Sequence, residues 1–100
     1  MTSASTVAPL QASVLVAVYN HEPELRRPLL GLAAQTRRAF EVLLCDDGSG
    51  PAIAALAREL RPLFPGGLRH LWQPDAGFRK RRTLNAGVRR AGADYLVVLD

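Results

Sequence analysis

Cysteine is nearly absent from this chain, with one in 100 residues, Cys45. A single thiol cannot build a disulfide framework or a multi-cysteine metal site, and a reducing compartment is the simpler assumption. No apolar run approaches the roughly 18–20 residues that span a bilayer. The opening, Met1 to Ala12, lacks the charged and long apolar regions of a secretory signal. The expected location is therefore cytoplasmic. Acidic residues are the minority, 9 against 13 Lys and Arg, for a formal net charge of +4. Internal repeats, low-complexity tracts and linkers are missing. What is present, 48% hydrophobic and 22% charged residues, fits one globular domain at most.

Residues 1–12 read as a flexible, small-residue leader. From Ser13 to Tyr19 runs a nearly continuous apolar stretch rich in β-branched residues. Such a run suits a strand buried on both faces, as in a parallel sheet. Asn20-His21-Glu22-Pro23 punctuates it. Leu25, Leu29, Leu32 and Ala33 then fall on one helical face that ends at Thr36. Pro28 is expected near the first turn of that helix, where a missing N–H matters least. Phe40 to Asp46 is a second buried strand, followed by turn residues Asp47-Gly48-Ser49-Gly50-Pro51. Ser49 is a candidate cap for the next helix, whose apolar face is Ile53, Leu56, Ala57, Leu60 and Phe64. Leu68 to Gln73 is a third, shorter strand. Phe78 to Ala91 reads as a third helix, and Asp94 to Leu99 as a fourth strand ending on Asp100. The order β-α-β-α-β-α-β, with short loops, implies a parallel, doubly wound, Rossmann-like α/β sheet.

In such a sheet, ligands bind outside the carboxyl ends of the strands. That edge receives Tyr19-Asn20, Asp46-Asp47, Pro74-Asp75 and Asp100, so carboxylates converge there from several strand ends. Adjacent acids repel, so cations or hydrogen-bond donors should compensate Asp46 and Asp47. Arg79-Lys80-Arg81-Arg82 opens the third helix, where cations oppose the helix dipole and an anionic ligand would relieve them. At about 100° per residue, Lys80, Leu84, Gly87, Val88 and Ala91 share the face that should pack on the sheet, with Arg81 at its margin. Lys80 and Arg81, with backbone N–H groups near Gly77, are therefore the candidates for holding phosphate. Arg79, Arg82, Arg89 and Arg90 read as a solvated face. Acids and inward cations in one crevice suit a nucleotide diphosphate.

Several stretches carry a resemblance. Val14-Leu15-Val16-Ala17-Val18-Tyr19-Asn20, Leu32-Ala33-Ala34-Gln35-Thr36, and Phe40-Glu41-Val42 with Asp46-Asp47-Gly48-Ser49 resemble the family 2 glycosyltransferases. Asp75-Ala76-Gly77-Phe78-Arg79-Lys80, Leu84-Asn85-Ala86-Gly87 and Gly92 to Asp100 resemble its galactosyltransferase-like branch with a "GFRKA…LN" signature. The resemblance covers residues 13–100. It implies an inverting transferase that takes a sugar from a nucleotide-diphospho-sugar, UDP-linked, to a saccharide or lipid-linked acceptor. It also implies half of a glycosyltransferase A-type fold. Tyr19 matches the position that packs on the base. Asp47 matches the acceptor of the uracil ring N–H, and Asp46 beside it orients it or the ribose. Lys80 and Arg81 lie in the region approaching the diphosphate. Asp100 matches the first acid of an Asp-x-Asp motif that handles ribose and a divalent metal, Mn2+ or Mg2+. The expected nucleotide-sugar set is thus Ala17, Tyr19, Asn20, Asp46, Asp47, Gly77, Lys80, Arg81 and Asp100, with Asp100 as the metal residue.

The sequence also departs from the family. Ala17 stands where Pro or Thr is usual, which bears on one backbone or hydroxyl contact. Thr83-Leu84-Asn85 replaces the common "ARN", which favours Lys80 or Arg81 as the replacement cation. The second acid of Asp-x-Asp and the catalytic base are expected beyond residue 100, so the expectation is a donor-binding portion that is inactive alone. Its fourth strand, apolar and at a sheet edge, would promote association.

Other classes fit less well. A dinucleotide binder wants a glycine-rich first turn, and Asn20-His21-Glu22-Pro23 has none. A signalling receiver wants acids after its first and third strands, whereas the pair here follows the second. Nucleic-acid binding through the basic run lacks an aromatic stacking platform. Peripheral association with the inner face of the membrane through Arg26, Arg27, Arg37 and Arg38 is a secondary expectation, weaker than a solvated face. His21 is expected at a cap or on the surface. His70 should be an exposed strand residue, Cys45 a core residue, and Trp72 a packing residue.

Overall fold

The computed structural model describes residues 10–35, 39–74 and 80–99, with all of their side chains except those of Lys80 and Arg81. The chain alternates strands and helices: β1 Ala12–Val18, α1 Glu22–Ala33, β2 Phe40–Asp46, α2 Pro51–Leu60, β3 Leu68–Trp72, α3 Lys80–Arg90 and β4 Leu96–Leu99. A short 3-10 turn, Arg61–Leu63, extends α2. The four strands form one parallel sheet in the order β3-β2-β1-β4. The chain steps outward from β1 to β3, and α3 then returns it to the other side of β1. The strand order therefore reverses beside β1, the place where open α/β sheets form a ligand crevice. This is the Rossmann-like arrangement expected from the sequence.

Alternation along the strands builds two cores. Val14, Val16, Val18, Val42, Leu44 and Leu68 meet Leu25 and Leu29 of α1 and Ile53, Leu56, Ala57 and Leu60 of α2. Leu15, Leu43 and Cys45 point to the opposite face and meet Leu84 of α3 and Ala91 just after it. Residues 41–46 of β2 are all buried, which is why that strand reads as a continuous apolar run. All five apolar positions expected on the α2 face are buried, from Ile53 at 1% exposed to Phe64 at 5%. Gly66 is a packing requirement, because a Cβ there would lie 1.9 Å from the Phe40 carbonyl oxygen. Tyr95 and Val98, at the β4 edge of the sheet, are exposed.

At the amino edge of the sheet the buried Glu41 carboxylate serves as a tie. Its Oε2 accepts from Ser13 Oγ at 2.6 Å and from Gly92 N at 2.5 Å, while Ser13 Oγ accepts from Ala93 N at 3.1 Å. That network fastens the α3–β4 connection to β1 and β2.

Three local expectations need correction. Pro28 lies inside α1 rather than in its first turn. It has no N–H for the Glu24 carbonyl, but both residues are exposed, so water can serve that oxygen. Ser49 does not cap α2. Gly50 holds the cap position without a side-chain bond, because the Ser49 hydroxyl is used elsewhere. On α3, Thr83 is buried and Val88 is 45% exposed. The sheet-facing stripe is therefore Thr83, Leu84, Gly87 and Ala91, turned away from the Val88 expected from apolar pattern alone.

Candidate functional site

The carboxyl ends of β1, β2 and β3 are bonded directly to one another. Asp47 N donates to Val18 O at 3.0 Å, and Gln73 N donates to Asp46 O at 3.1 Å. Three adjacent strand ends thus share one continuous backbone network at the edge where a ligand would bind.

Asp46 is the hub. Its side chain is fully buried. Oδ1 accepts from Ser49 N at 2.9 Å and from Ser49 Oγ at 2.6 Å. Oδ2 lies 2.5 Å from His70 Nε2. A buried carboxylate is costly unless paired and hydrogen-bonded, and these three contacts meet that need. His70 is accordingly not an exposed strand residue. Its side chain is 14% exposed, because the β2–β3 register places it beside Leu44, two residues before Asp46.

Ser49 passes the constraint to the neighbouring loop. While its hydroxyl donates to Asp46, the same oxygen accepts from Asn20 N at 2.6 Å. Asn20 Oδ1 in turn accepts from Gly50 N at 2.9 Å. Asn20 and His21 both adopt left-handed backbone, with φ of 52° and 57°. For side chains other than glycine this conformation is uncommon and tends to be held by surrounding structure at functional sites. The bonds to Ser49 and Gly50 hold it here. His21 occupies the cap position of α1 without a side-chain cap bond and is exposed, in line with a surface role.

The structure brings together Ala17, Tyr19 and Asn20 from the end of β1 and Asp46 and Asp47 from the end of β2. Tyr19 is 49% exposed, and Asp47 is buried at 6%. Gln73 Nε2 donates to Asp47 Oδ1 at 3.3 Å. Trp72 is half-exposed, 52%, and is not the packed residue expected, although its Nε1 donates to Ser49 O at 2.9 Å. Ala17, Tyr19 and Asn20 also line a cavity of about 320 Å3 that reaches Leu29 of α1 and Leu99 of β4. This is the crevice at the reversal of strand order.

Gly77 and Asp100, together with Asp75 and Arg79, lie outside the described residues, as do Thr36, Arg37 and Arg38. Lys80 and Arg81 open α3, and their side chains are likewise outside. Arg82, Arg89 and Arg90 are exposed, as a solvated face requires. Arg26, weighed for membrane contact, is committed to Glu22 and Glu59, with its guanidinium 2.6 and 2.8 Å from the two Glu59 oxygens. Among the described residues no three His, Cys, Asp or Glu side chains gather to hold a metal. No described helix is long and apolar enough to cross a membrane. The residues that sequence reasoning missed are Ser49 as a linker, Gln73, and His70. Their donor chemistry was visible, but their pairing depends on strand register.

Comparison with known proteins agrees with this architecture. Validoxylamine A glucosyltransferase of Streptomyces hygroscopicus subsp. limoneus is 34% identical over 102 residues, covering 100% of this chain and 22% of that protein. Chondroitin synthase of Escherichia coli is 32% identical over 89 residues, 88% of this chain and 13% of that protein. Hyaluronan synthase of Pasteurella multocida is 32% identical across the same share of this chain and 9% of its own length. The chain therefore spans about a fifth or less of these relatives. The parallel sheet with alternating helices is consistent with half of a glycosyltransferase A-type fold. Residues 13–100 match the family model described as Glycosyl transferase family 2, and the chain belongs to that family.

Proposed function

We propose that this chain provides the nucleotide end of the donor site in an inverting glycosyltransferase. The donor is a UDP-linked sugar and the acceptor a saccharide or lipid-linked saccharide, handled on the cytoplasmic side of the membrane. One observation carries the reading: the Asp46–Ser49 turn and the Tyr19–Asn20 loop are fused into one rigid unit at the carboxyl edge of β1 and β2. A unit of that kind can present an aromatic face and a carboxylate to the same planar ligand.

In this reading the half-exposed Tyr19 ring packs on the base, and Asp47 accepts its ring N–H. Asp46, with its side-chain oxygens engaged by Ser49 and His70, orients Asp47 rather than meeting the ligand. The backbone of Ala17 and Asn20 walls the crevice. Gly77, Lys80 and Arg81 approach the diphosphate, where cations offset its charge. The divalent ion, Mn2+ or Mg2+, belongs with Asp100, and the described residues alone do not form its site. When bound, such an ion neutralises the leaving diphosphate. No residue of this chain is assigned as the base that activates the acceptor, so the 100 residues alone should bind donor without transferring sugar.

Calorimetric titration of the folded chain with UDP and Mn2+ tests the proposal. Asp47→Ala removes a charged acceptor worth about 1.5–3 kcal/mol, so affinity should fall by roughly ten-fold or more. No binding by the wild-type chain, or equal binding by the variant, would refute it.

A further inference from the structure

The third strand does more than extend the sheet. We propose that β3 and the residue that follows it position the donor site, fixing the Asp46–Ser49 turn from its side through His70, Trp72 and Gln73. This rests on the donor-site reading above and assigns three residues to it.

The observation is a pattern of donors. His70 Nε2 meets Asp46 Oδ2 at 2.5 Å, Trp72 Nε1 gives to Ser49 O at 2.9 Å, and Gln73 Nε2 gives to Asp47 Oδ1 at 3.3 Å. Three side chains within four consecutive positions thus converge on one four-residue turn. An edge strand needs only its backbone to pair with its neighbour, so the side-chain pattern calls for a separate explanation. Burial alone does not supply it, since Trp72 remains half-exposed while its indole N–H is engaged.

The chemistry of each contact matches the task. Two adjacent carboxylates repel, and hydrogen-bond donors offset that repulsion. Gln73 Nε2 supplies such a donor to Asp47 Oδ1 and fixes the direction of that carboxylate. His70 Nε2 reaches the other Asp46 oxygen, Oδ2, from β3. That contact braces the buried carboxylate on the side opposite Ser49. The restraint then travels from Asp46 through Ser49 Oγ to Asn20 N, the residue after Tyr19. Both groups assigned to the base, Tyr19 and Asp47, are therefore referred to one hub that β3 holds in place.

The test uses the full chain with His70→Leu, His70→Gln and Gln73→Ala. The readouts are UDP affinity with Mn2+, thermal unfolding, and the emission of Trp72, the sole tryptophan. UDP affinity should fall at least ten-fold in His70→Leu and about three- to ten-fold in Gln73→Ala, with Trp72 emission altered in His70→Leu. Glutamine places an amide donor near the position of Nε2, so His70→Gln should return affinity to within about three-fold of wild type. Removing the partner of a buried charge can unfold a protein. If His70→Leu does not fold, Gln73→Ala carries the test, and wild-type affinity in it overturns the proposal. A lowered melting temperature in His70→Leu with unchanged UDP affinity of the folded protein also overturns it, since that is a purely structural role. No UDP binding by the folded wild-type chain overturns the donor-site reading and this proposal together. Wild-type binding that is unaltered in both His70→Leu and Gln73→Ala overturns this proposal alone.

Discussion

Gly87 sets how closely α3 approaches the sheet, and an alanine there provides a test with two opposite signs. A Cβ at Gly87 would lie 2.5 Å from Cys45 Sγ and 3.0 Å from Leu15 Cδ2. Both neighbours are fully buried, on β2 and β1. In an open helix, Gly→Ala stabilises by about 1 kcal/mol. Here the added methyl must displace a packed sulfur, and such overpacking costs about 1–3 kcal/mol. The net expectation for Gly87→Ala is a loss of about 1 kcal/mol, or a melting temperature roughly 4–8 °C lower for a domain of this size. Cys45→Ala removes the obstructing sulfur at a cost of about 1 kcal/mol for the void. In that background Gly87→Ala refills the void and keeps its propensity gain, because the Leu15 methyl can rotate aside. It should then stabilise by about 1 kcal/mol, so the coupling between the two sites is about 2 kcal/mol. Thermal unfolding followed by circular dichroism on the four proteins measures this. If Gly87→Ala raises the melting temperature equally in both backgrounds, α3 does not rest on Cys45 and its assigned depth is wrong. The stake is functional, because that depth fixes where α3 begins, and Lys80 and Arg81 are its first residues.

The sheet was legible because its determinants are local. A β-strand buried on both faces must be apolar throughout, and the runs 13–19 and 40–46 have no competing helical pattern. The α2 face was legible for a similar reason, since five apolar positions at helical spacing leave one orientation. Leu84, Gly87 and Ala91 hold the expected inner face of α3, whereas Val88 does not. Apolar periodicity favours Val88, but the close approach at Gly87 centres the contact there and brings Thr83 inward. The acid pair and Tyr19 were legible from their place after strands, and the link between them was not. That link runs His70–Asp46–Ser49–Asn20, four residues drawn from β3, the end of β2 and the loops after β2 and β1. It depends on Asp46 standing opposite Trp72 in the ladder, a register that no single strand encodes. The left-handed pair Asn20 and His21 went unread for the same reason, because the bonds that hold it come from residues about 30 positions away.

Three further outcomes follow from the same contacts. Glu41→Ala should destabilise by about 1–3 kcal/mol in urea unfolding, since it orphans the Ser13 hydroxyl and the Gly92 N–H; an unchanged midpoint would remove Glu41 from the tie between β2 and the α3–β4 connection. Burial pushes the Cys45 thiol up to about 11, so at pH 8 a disulfide reagent should label it only as fast as the protein unfolds; rapid labelling of native protein would contradict the packing of α3 over it. The last concerns pH. The Arg26 guanidinium, bonded to both Glu59 oxygens, holds the Glu59 carboxyl below the ordinary carboxylate range. A depressed folded-state value means the unfolded chain binds the proton more tightly, so the contribution of this pair is present above the unfolded value and is lost as pH falls through the folded one. Both groups are exposed, which keeps that contribution small and salt-sensitive. Carboxyl titration by NMR should therefore show Glu59 shifted down in the wild-type chain and returned to the ordinary range in Arg26→Ala, with unfolding at neutral pH nearly unchanged. A Glu59 that titrates alike in both proteins would show that the α1–α2 bridge is not formed in solution.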